Sequence, residues 1–241
     1  MSAEPWVLWI AGGLAFVLVA FGMFPAIRGW NALGRRDREV SLRKVHTRET
    51  PRVGGFVLMI GCGIVAIRGL AGTTELSAAH EWASRNPISG VGLGALICGL
   101  AGLYDDLVGL RARYKLLAQA VAASLAVFVF GLHWEALAGV LGPAAVLADP
   151  LTVLFLVAGV NAINLSDGLD GLAGGNVALG LLVILLASVS HGATEVAVGW
   201  IAATALGAVL GFLVHNRHPA RVFMGDAGSY FLGFLLTGLL L

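Results

Sequence analysis

The chain has 241 residues, of which 58% are hydrophobic and 12% are charged, and its net charge is +1. Soluble domains carry about 25% charged residues, so this composition excludes an ordinary soluble protein and indicates an integral membrane protein. So small a net charge does not point to a polyanionic partner, and no nucleic-acid partner is expected. The cysteines, Cys62 and Cys98, lie inside apolar segments and are interpreted as packing residues, not as a disulfide.

Apolar segments separated by short polar breaks predict an all-α fold, a polytopic membrane helix bundle forming a single domain over residues 1–241. Seven segments are long enough to span the membrane, at residues 6–27, 53–71, 87–104, 116–132, 150–166, 172–190 and 196–214. An eighth begins at Tyr230 and is incomplete at Leu241. We expect either a re-entrant segment there or a chain truncated at its C-terminus.

Most basic residues lie on one side of the predicted membrane. Thirteen of the 15 Lys and Arg residues fall in the first, third and seventh connections, and the other two are Arg68 and Arg85. The positive-inside rule makes the basic side cytosolic, so the N-terminus is predicted outside. Acidic residues at the span ends on this side are predicted to form one site, and they are Asp105, Asp106, Asp167, Asp170 and Asp226.

The segment 161–175 interrupts an apolar run with several polar side chains. On a helix, Asn161, Asn164 and Asp167 recur every third residue, so their oxygen atoms are predicted to converge on one point. Glycines then follow at 168, 171, 174 and 175, and they are expected to loosen the backbone so that amide N–H groups approach an anion. The pattern predicts ligands for a hard cation beside a phosphate-binding loop.

Two further motifs carry carboxylates at span ends. Asp105 and Asp106 repel one another and need a counter-charge, which a divalent cation or a nearby base such as Lys115 could provide. A solvated acid pair at a helix end is the alternative interpretation. Gly225 and Gly228 bracket Asp226 in a predicted turn from which its carboxylate can point at a metal.

Histidines offer weaker evidence of chemistry. His46 precedes the turn at Thr50, and it could carry a proton or be an ordinary interfacial histidine. The basic first connection around it could bind a substrate diphosphate or simply lie on anionic lipid. His215 and His218 have the spacing of a metal pair, but Pro219 breaks a helix there, and we do not expect a zinc site.

Taken together, these motifs resemble the polyprenyl-phosphate N-acetylhexosamine-1-phosphate transferase family of bacterial cell-envelope synthesis. The motifs occur in the family's order across the whole chain, and the first, Arg43-Lys44-Val45-His46 followed by Thr50-Pro51, resembles the undecaprenyl-phosphate N-acetylglucosamine-1-phosphate transferase branch. The related branch that uses UDP-N-acetylmuramoyl-pentapeptide normally has a lysine within a Gly-Thr-Pro-Thr version of this loop, whereas here Glu49 precedes Thr50. That branch also normally has a lysine three residues after its aspartate pair, where this chain has Gly109. Family members also continue beyond this length with a histidine-bearing cytosolic loop.

The resemblance implies a role for each matching residue. Asp105 and Asp106 become the catalytic acid pair that handles the lipid phosphate and the metal. Asp226 and Asn164 become metal ligands. The residues that resemble the substrate-binding positions are His46, Thr50, Lys115, Asn161, Asp167, Asp170 and Asn216.

The implied reaction transfers a sugar-1-phosphate from a UDP-N-acetylhexosamine to polyprenyl phosphate in the bacterial cytoplasmic membrane, with the site on the cytosolic face. Mg²⁺ is the expected cofactor, with Mn²⁺ as an alternative. A covalent aspartyl-phosphate route and a homodimer are both left open. The rival functions are UDP-N-acetylmuramoyl-pentapeptide phosphotransferase activity, a binding-only homologue, and a transporter, which would carry its polar residues near the bilayer midplane.

Overall fold

The computed structural model of the chain describes residues 5–32, 50–71, 86–191 and 196–241. Within these ranges it is helical, with no β-strand, which confirms the predicted all-α class. The α-helices in chain order are α1 Pro5–Ala32, α2 Gly54–Ala71, α3 Pro87–Val108, α4 Ala112–Ser124, α5 Glu135–Leu141, α6 Ala148–Ser166, α7 Leu172–His191, α8 Val196–Asn216 and α9 Gly225–Leu239. A π-helical segment, Leu125–Val129, continues α4, and a 3-10 helix, Gly142–Leu147, joins α5 to α6.

Several of these helices are long and apolar enough to cross a membrane. Among the described residues there are 6 such stretches, at Trp6–Ala32, Pro87–Val108, Ala112–Val129, Glu135–Ser166, Leu172–Ser190 and Ala197–Asn216. The chain is therefore a multi-pass membrane protein. In α2, predicted as the second span, the part whose side chains the structure describes is the apolar stretch Gly54–Val65. The predicted total of seven spans and the outside N-terminus stay predictions.

Helix boundaries differ from the predicted spans where polar residues occur. Helix α3 does not end at residue 104 but continues to Val108, so Asp105 and Asp106 lie in its last turn and not in a break. Gly109, with φ of 85°, ends it. Helix α4 begins at Ala112, so Lys115 lies in its first turn. A charged residue lowers the local hydropathy without breaking the backbone hydrogen bonds of a helix, and hydropathy therefore underestimates helix length here.

Helix α9 corresponds to the incomplete eighth segment, and it begins at Gly225 instead of Tyr230. The small and polar residues of its first turns hid its start from a search for apolar residues. Nearly all of its side chains from Ala227 to Gly238 are buried, because α9 packs against α2, α3 and α6. The last helix of the chain is thus enclosed by the others, with its N-terminus beside the ends of α3 and α6.

Helices α1, α2 and α7 form a second group around α8, which packs against each of them. The contact between α1 and α8 depends on glycine, since a Cβ added at Gly207 would lie 1.9 Å from the carbonyl oxygen of Gly12. One helical turn further along α8, a Cβ added at Gly211 would lie 2.6 Å from the carbonyl oxygen of Phe16. The pair Gly207 and Gly211 therefore forms the small-residue helix contact that its spacing predicts.

We predict that Gly207→Ala destabilises the bundle, because a methyl group would force the backbones of α1 and α8 apart. Overpacking of this kind costs about 1–3 kcal/mol. The measurement is the thermal unfolding midpoint of the purified protein in detergent.

Gly13→Ala is the matched control, since Gly13 adjoins the same contact but an added Cβ there meets nothing within 4 Å. Its unfolding midpoint should equal or exceed that of the wild type, because alanine favours a helix over glycine by about 1 kcal/mol at most. Equal midpoints for the Gly207 and Gly13 variants would show that α1 and α8 do not depend on this close approach.

Candidate active site

Polar side chains from four helices meet at one end of the bundle. Asp105 comes from the last turn of α3, Lys115 from the first turn of α4, Asn164 from the last turn of α6 and Asp226 from the first turn of α9. The short connection 109–111 brings Lys115 back beside Asp105, because it turns the chain immediately into α4. The structure therefore brings together residues that are up to 121 positions apart, counting from 105 to 226.

The carboxylate of Asp226 is the centre of this cluster. Its Oδ1 accepts a hydrogen bond from Asn164 Nδ2 at 3.0 Å, and its Oδ2 accepts from Lys115 Nζ and Tyr230 Oη, both at 3.0 Å. Lys115 also forms an ion pair with Asp105. A single ammonium group thus lies between two carboxylates, and its charge offsets their repulsion.

The neighbouring carboxylates of Asp106 and Asp167 bind the backbone of α9. Asp106 accepts from the Asp226 and Ala227 amides at 3.0 and 2.9 Å, and Asp167 accepts from the Gly225 amide at 3.0 Å. First-turn amides have no partner within their own helix, and they carry the positive end of the helix dipole. Asp105 and Asp106 therefore differ in what they contact, because adjacent residues of a helix point in different directions.

The environment of Asp167 changes its acidity. Burial raises the pKa of the Asp167 carboxyl well above its ordinary value, the Gly225 amide opposes this by lowering the pKa, and the charge of Asp106 raises it further. Whether the Asp167 carboxyl is protonated or ionised, it keeps an oxygen that accepts a hydrogen bond from the Gly225 amide. The contact with α9 therefore does not require Asp167 to be charged.

Close backbone approach positions the start of α9. Gly225 has a φ of 68°, which few residues other than glycine adopt, and this value turns the chain into the helix. A Cβ added at Gly102 of α3 would lie 2.2 Å from the Asp226 carbonyl oxygen, and one at Gly55 of α2 would lie 2.1 Å from the Gly228 amide. The turn that was predicted around Asp226 is wrong, because Gly225, Asp226 and Gly228 all lie in α9, which begins at Gly225.

The central segment does not converge on one point as predicted. Asn164 and Asp167 face α9, but Asn161 donates to Gln119 Oε1 of α4 at 2.6 Å and to the Val157 carbonyl at 2.8 Å. The expected anion-binding glycine loop is also wrong in part. The amide of Gly171 donates to Asn216 Oδ1 at 3.0 Å, and that of Gly175 donates to the Gly171 carbonyl within the start of α7.

Asp170 and Asn216 lie in a second group beside the acid cluster. Asp170 accepts from the Ala220 amide at 3.0 Å and contacts His218 Nδ1 at 2.8 Å. Asn216 is buried, accepts from Gly171 and donates to the Val222 carbonyl at 2.8 Å. These contacts tie the loop after α6 to the loop before α9. Four of the five acids predicted to share a site therefore converge, and Asp170 is the exception.

Two predicted substrate-binding residues belong to the first connection. Thr50 is buried, and the segment after it hydrogen-bonds to the segment before α9, with Phe223 donating to the Pro51 carbonyl at 2.9 Å and Gly55 donating to the Met224 carbonyl at 2.8 Å. Thr50 therefore lies behind the start of α9. His46 lies outside the described residues, and its role stays a prediction.

Sequence reasoning missed three residues of the cluster. Tyr230 donates to Asp226, and Ser229 accepts from Asn164. Gln119 accepts from Asn161. The spacing of Asp226 and Tyr230, four residues apart on a helix, would have indicated a contact had α9 been started at Gly225. Gln119 is a polar residue within an apolar span, which is itself a signal.

The oxygen atoms of this cluster fit a hard cation. Among the described residues, no group of three or more His, Cys, Asp or Glu side chains is placed to hold a metal ion. The carboxylates of Asp105 and Asp226 nevertheless both contact the Lys115 ammonium, so positive charge is favoured at one position between them. Mg²⁺ is usually held by one or two carboxylates, with water and substrate phosphate completing its shell. Asp226, Asp105 and Asn164 therefore suit Mg²⁺, and a soft metal would find no thiolate here.

Comparison with known proteins gives a consistent picture. Residues 88–241 match the family described as Glycosyl transferase family 4. A Bacillus subtilis protein named "Probable undecaprenyl-phosphate N-acetylglucosaminyl 1-phosphate transferase" is 37% identical over 205 residues, which cover 82% of this chain and 52% of that protein. A Mycobacterium tuberculosis decaprenyl-phosphate N-acetylglucosaminephosphotransferase is 36% identical over 213 residues, covering 81% of this chain and 50% of that protein.

A third relative is named for a different sugar substrate. The Synechococcus phospho-N-acetylmuramoyl-pentapeptide-transferase is 36% identical over 249 residues, covering 97% of this chain and 65% of that protein. The chain thus spans about half the length of the Bacillus and Mycobacterium relatives, at 52% and 50%. Identity is almost equal for both kinds of relative, so it does not distinguish the sugars.

We predict that Asp106→Ala destabilises the protein, because the Asp226 and Ala227 amides at the start of α9 would lose their acceptor. Loss of a capping side chain costs about 0.5–2 kcal/mol. The thermal unfolding midpoint in detergent measures this effect.

Asp149→Ala provides the comparison. Asp149 also lies in the first turn of a helix, α6, but its partner His133 is 52% exposed, and exposed ion pairs contribute little. A drop in midpoint for Asp149→Ala as large as that for Asp106→Ala would contradict the capping role.

Proposed function

Because this chain belongs to glycosyl transferase family 4, we propose that it is an enzyme that transfers N-acetylglucosamine-1-phosphate from its UDP-sugar to polyprenyl (undecaprenyl) phosphate and releases UMP. The observation that carries the proposal is the convergence of Asp105 and Asp226 on the Lys115 ammonium at one end of the bundle. Both reactants are anions, and a site for their reaction needs positive charge held by acidic ligands. The names of the Bacillus and Mycobacterium relatives support this reaction.

The choice of sugar rests on the sequence motifs. Relatives of similar identity are named for N-acetylglucosamine and for N-acetylmuramoyl-pentapeptide. Glu49 precedes Thr50, where the pentapeptide branch has a Gly-Thr-Pro-Thr version of the loop with a lysine, and Gly109 stands where that branch normally has a lysine. These two differences favour the N-acetylglucosamine substrate. The pentapeptide substrate is the alternative.

In the proposed reaction, an oxygen of the lipid phosphate forms a bond to the phosphorus that carries the sugar. The bond from that phosphorus to the bridging oxygen breaks, and UMP leaves with the electron pair. The last proton of a phosphate monoester dissociates near pH 6, so no strong base is required. The protein therefore needs to orient two anions and to neutralise their charge.

Each residue of the cluster has a part in this scheme. Lys115 lies between Asp105 and Asp226, where its ammonium can contact a phosphate oxygen of either substrate. Asp105 would orient the lipid phosphate and accept its proton. Asp106 and Asp167 would hold α9, and with it Asp226, in place. Mg²⁺, bound by Asp226 with Asp105 and Asn164 nearby, would supply positive charge to the diphosphate oxygens.

The site is proposed to face the cytosol of a bacterial cell from its cytoplasmic membrane. Arg111, Arg217 and Arg221 lie in the connections that flank the acid cluster, Arg113 lies in the first turn of α4, and basic residues favour the cytosolic side. The acids lie in the last turn of α3 and the first turn of α9, that is, at helix ends. A transport pathway would instead require such groups near the middle of the spans, so this position favours the transferase over the transporter.

We predict that Asp226→Asn and Asp105→Asn each reduce transfer by roughly 100-fold or more, since each removes a charge that faces the reacting phosphates. The assay incubates membranes with labelled UDP-N-acetylglucosamine, undecaprenyl phosphate and MgCl₂, and it measures UMP release. Chelation by EDTA should abolish release, and added Mg²⁺ should restore it.

Asp149→Asn serves as the control, because Asp149 contacts His133 away from the cluster. Immunoblots of the membranes confirm that each variant accumulates. Full turnover in Asp226→Asn would remove that residue from the proposed site, and turnover in EDTA would remove the metal from the proposal.

A further inference from the structure

Gln119 and Asn161 form a polar pair within the apolar interior, deeper than the acid cluster. The side chain of Gln119 on α4 is fully buried, at 0% exposure. Its Oε1 accepts from Asn161 Nδ2 of α6 at 2.6 Å. A helix advances 1.5 Å per residue, so Asn161 lies about 4.5 Å from Asn164 along the axis of α6. Asn161 is the one farther from the C-terminal end of α6, where the acid cluster lies. The pair is therefore adjacent to the proposed active site.

The chemistry of the neighbours determines which way the Asn161 amide points. The Val157 carbonyl, 2.8 Å from Asn161 Nδ2, can only accept a hydrogen bond, so the NH₂ group must face it. The second hydrogen of this NH₂ goes to Gln119 Oε1. Both donors of Asn161 are thus used within the protein. What Asn161 can offer to a ligand is its Oδ1, an acceptor.

Asn164 has the same orientation one turn later. Its Nδ2 donates to Asp226 Oδ1 and to Ser229 Oγ, both at 3.0 Å, and a carboxylate can only accept. Its Oδ1 is again the atom left for a ligand. Two successive turns of α6 therefore present amide oxygens.

The second polar atom of Gln119 shows why this residue is unusual. Its Nε2 is buried and has no hydrogen-bond partner among the described residues. An unsatisfied polar group inside an apolar span is unfavourable, and leucine or methionine would avoid that penalty. The hydrogen bond that the structure shows for the Gln119 side chain is the one that its Oε1 accepts from Asn161.

We propose that Gln119 is a positioning residue that holds the Asn161 amide with its oxygen towards the substrate, so that this part of the site binds the hydrogen-bond donors of the nucleotide sugar. This inference rests on the proposed function. A nucleotide sugar carries hydroxyl and N–H donors, whereas an ionised polyprenyl phosphate has only acceptor oxygens, which an amide oxygen repels. The described partners of Asn161, Gln119 and the Val157 carbonyl, are neutral, so a metal ion is less suited to this position than to Asp226.

The test is a steady-state kinetic comparison of Gln119→Met with the wild-type protein in membranes. Methionine keeps the volume but removes the acceptor, so the Asn161 amide can rotate. We expect the KM for UDP-N-acetylglucosamine to rise roughly tenfold, which corresponds to the loss of one hydrogen bond. We expect kcat, the KM for undecaprenyl phosphate and the Mg²⁺ activation constant to stay at their wild-type values.

Two further variants separate positioning from a general structural effect. Gln119→Glu, buried and therefore neutral, keeps a carbonyl oxygen beside Asn161 and should restore a KM near that of the wild type. Asn161→Ala should raise the same KM, and adding Gln119→Met to it should change nothing more, because Gln119 acts through Asn161. Thr204→Val in α8, another buried side chain whose oxygen has no hydrogen-bond partner among the described residues, is the control and should leave every constant unchanged.

Each outcome decides the proposal. The proposal is overturned, while the transferase activity stands, if the KM for UDP-N-acetylglucosamine is unchanged in Gln119→Met. It is also overturned if only the KM for the lipid or the Mg²⁺ activation changes, or if the effects of Gln119→Met and Asn161→Ala are additive. If Gln119→Met fails to accumulate, an unchanged KM in Asn161→Ala overturns it. A wild-type protein that releases no UMP would overturn the proposed function itself, and this inference with it.

Discussion

The hydrogen bonds from the first amides of α9 to Asp106 and Asp167 are the constraint on which the site depends. Helix α9 is enclosed by α2, α3 and α6, so its N-terminal amides cannot be left to water as they would be on a surface helix. Two carboxylates from different helices satisfy them. Asp226, in the same turn, is thereby held where Lys115, Asn164 and Tyr230 reach it.

Glycine makes this arrangement sterically accessible. The carbonyl of Asp226 lies against Gly102, and the amide of Gly228 lies against Gly55, at distances that leave no room for a side chain. Van der Waals packing between small residues is the main attraction between helices in lipid, because burial of apolar surface gains little there. The same feature that stabilises the bundle therefore brings the backbones of α2 and α3 close to the start of α9, where Asp106 of α3 reaches the first amides of α9.

The polar groups of the site fall into two chemically different parts. Around Asp226, carboxylates and the Lys115 ammonium favour a position of positive charge, which in the proposed reaction would contact the substrate phosphates. Along α6, Asn161 and Asn164 direct their NH₂ groups into the protein and leave oxygens for a ligand. Under the proposed function, a site built in this way would distinguish a donor-rich nucleotide sugar from a lipid phosphate without relying on shape alone.

The motifs by themselves were enough to identify the all-α membrane class and most of the acid cluster. Asp105, Asp106, Asp167 and Asp226 were predicted to meet, and they do, because each stands at the end of an apolar span and the span ends on one side share one depth. Asp170, which the same argument placed with them, lies in the loop after α6 and contacts the Ala220 amide and His218 beside the cluster. The start of α9 was also misplaced, because hydropathy does not detect a helical turn made of Gly, Asp and Ser.

Sequence alone thus determined which polar residues interrupt or end the apolar segments, since hydropathy and spacing are properties of a single segment. Only the tertiary structure decided what each polar atom contacts. Adjacent Asp105 and Asp106 bind an ammonium group and a helix N-terminus respectively, and Asn161 turns to Gln119 while Asn164 turns to Asp226. Hydrogen-bond partners are chosen between helices that are distant in the chain, and the direction of a side chain is therefore set by the packing of the helices around it.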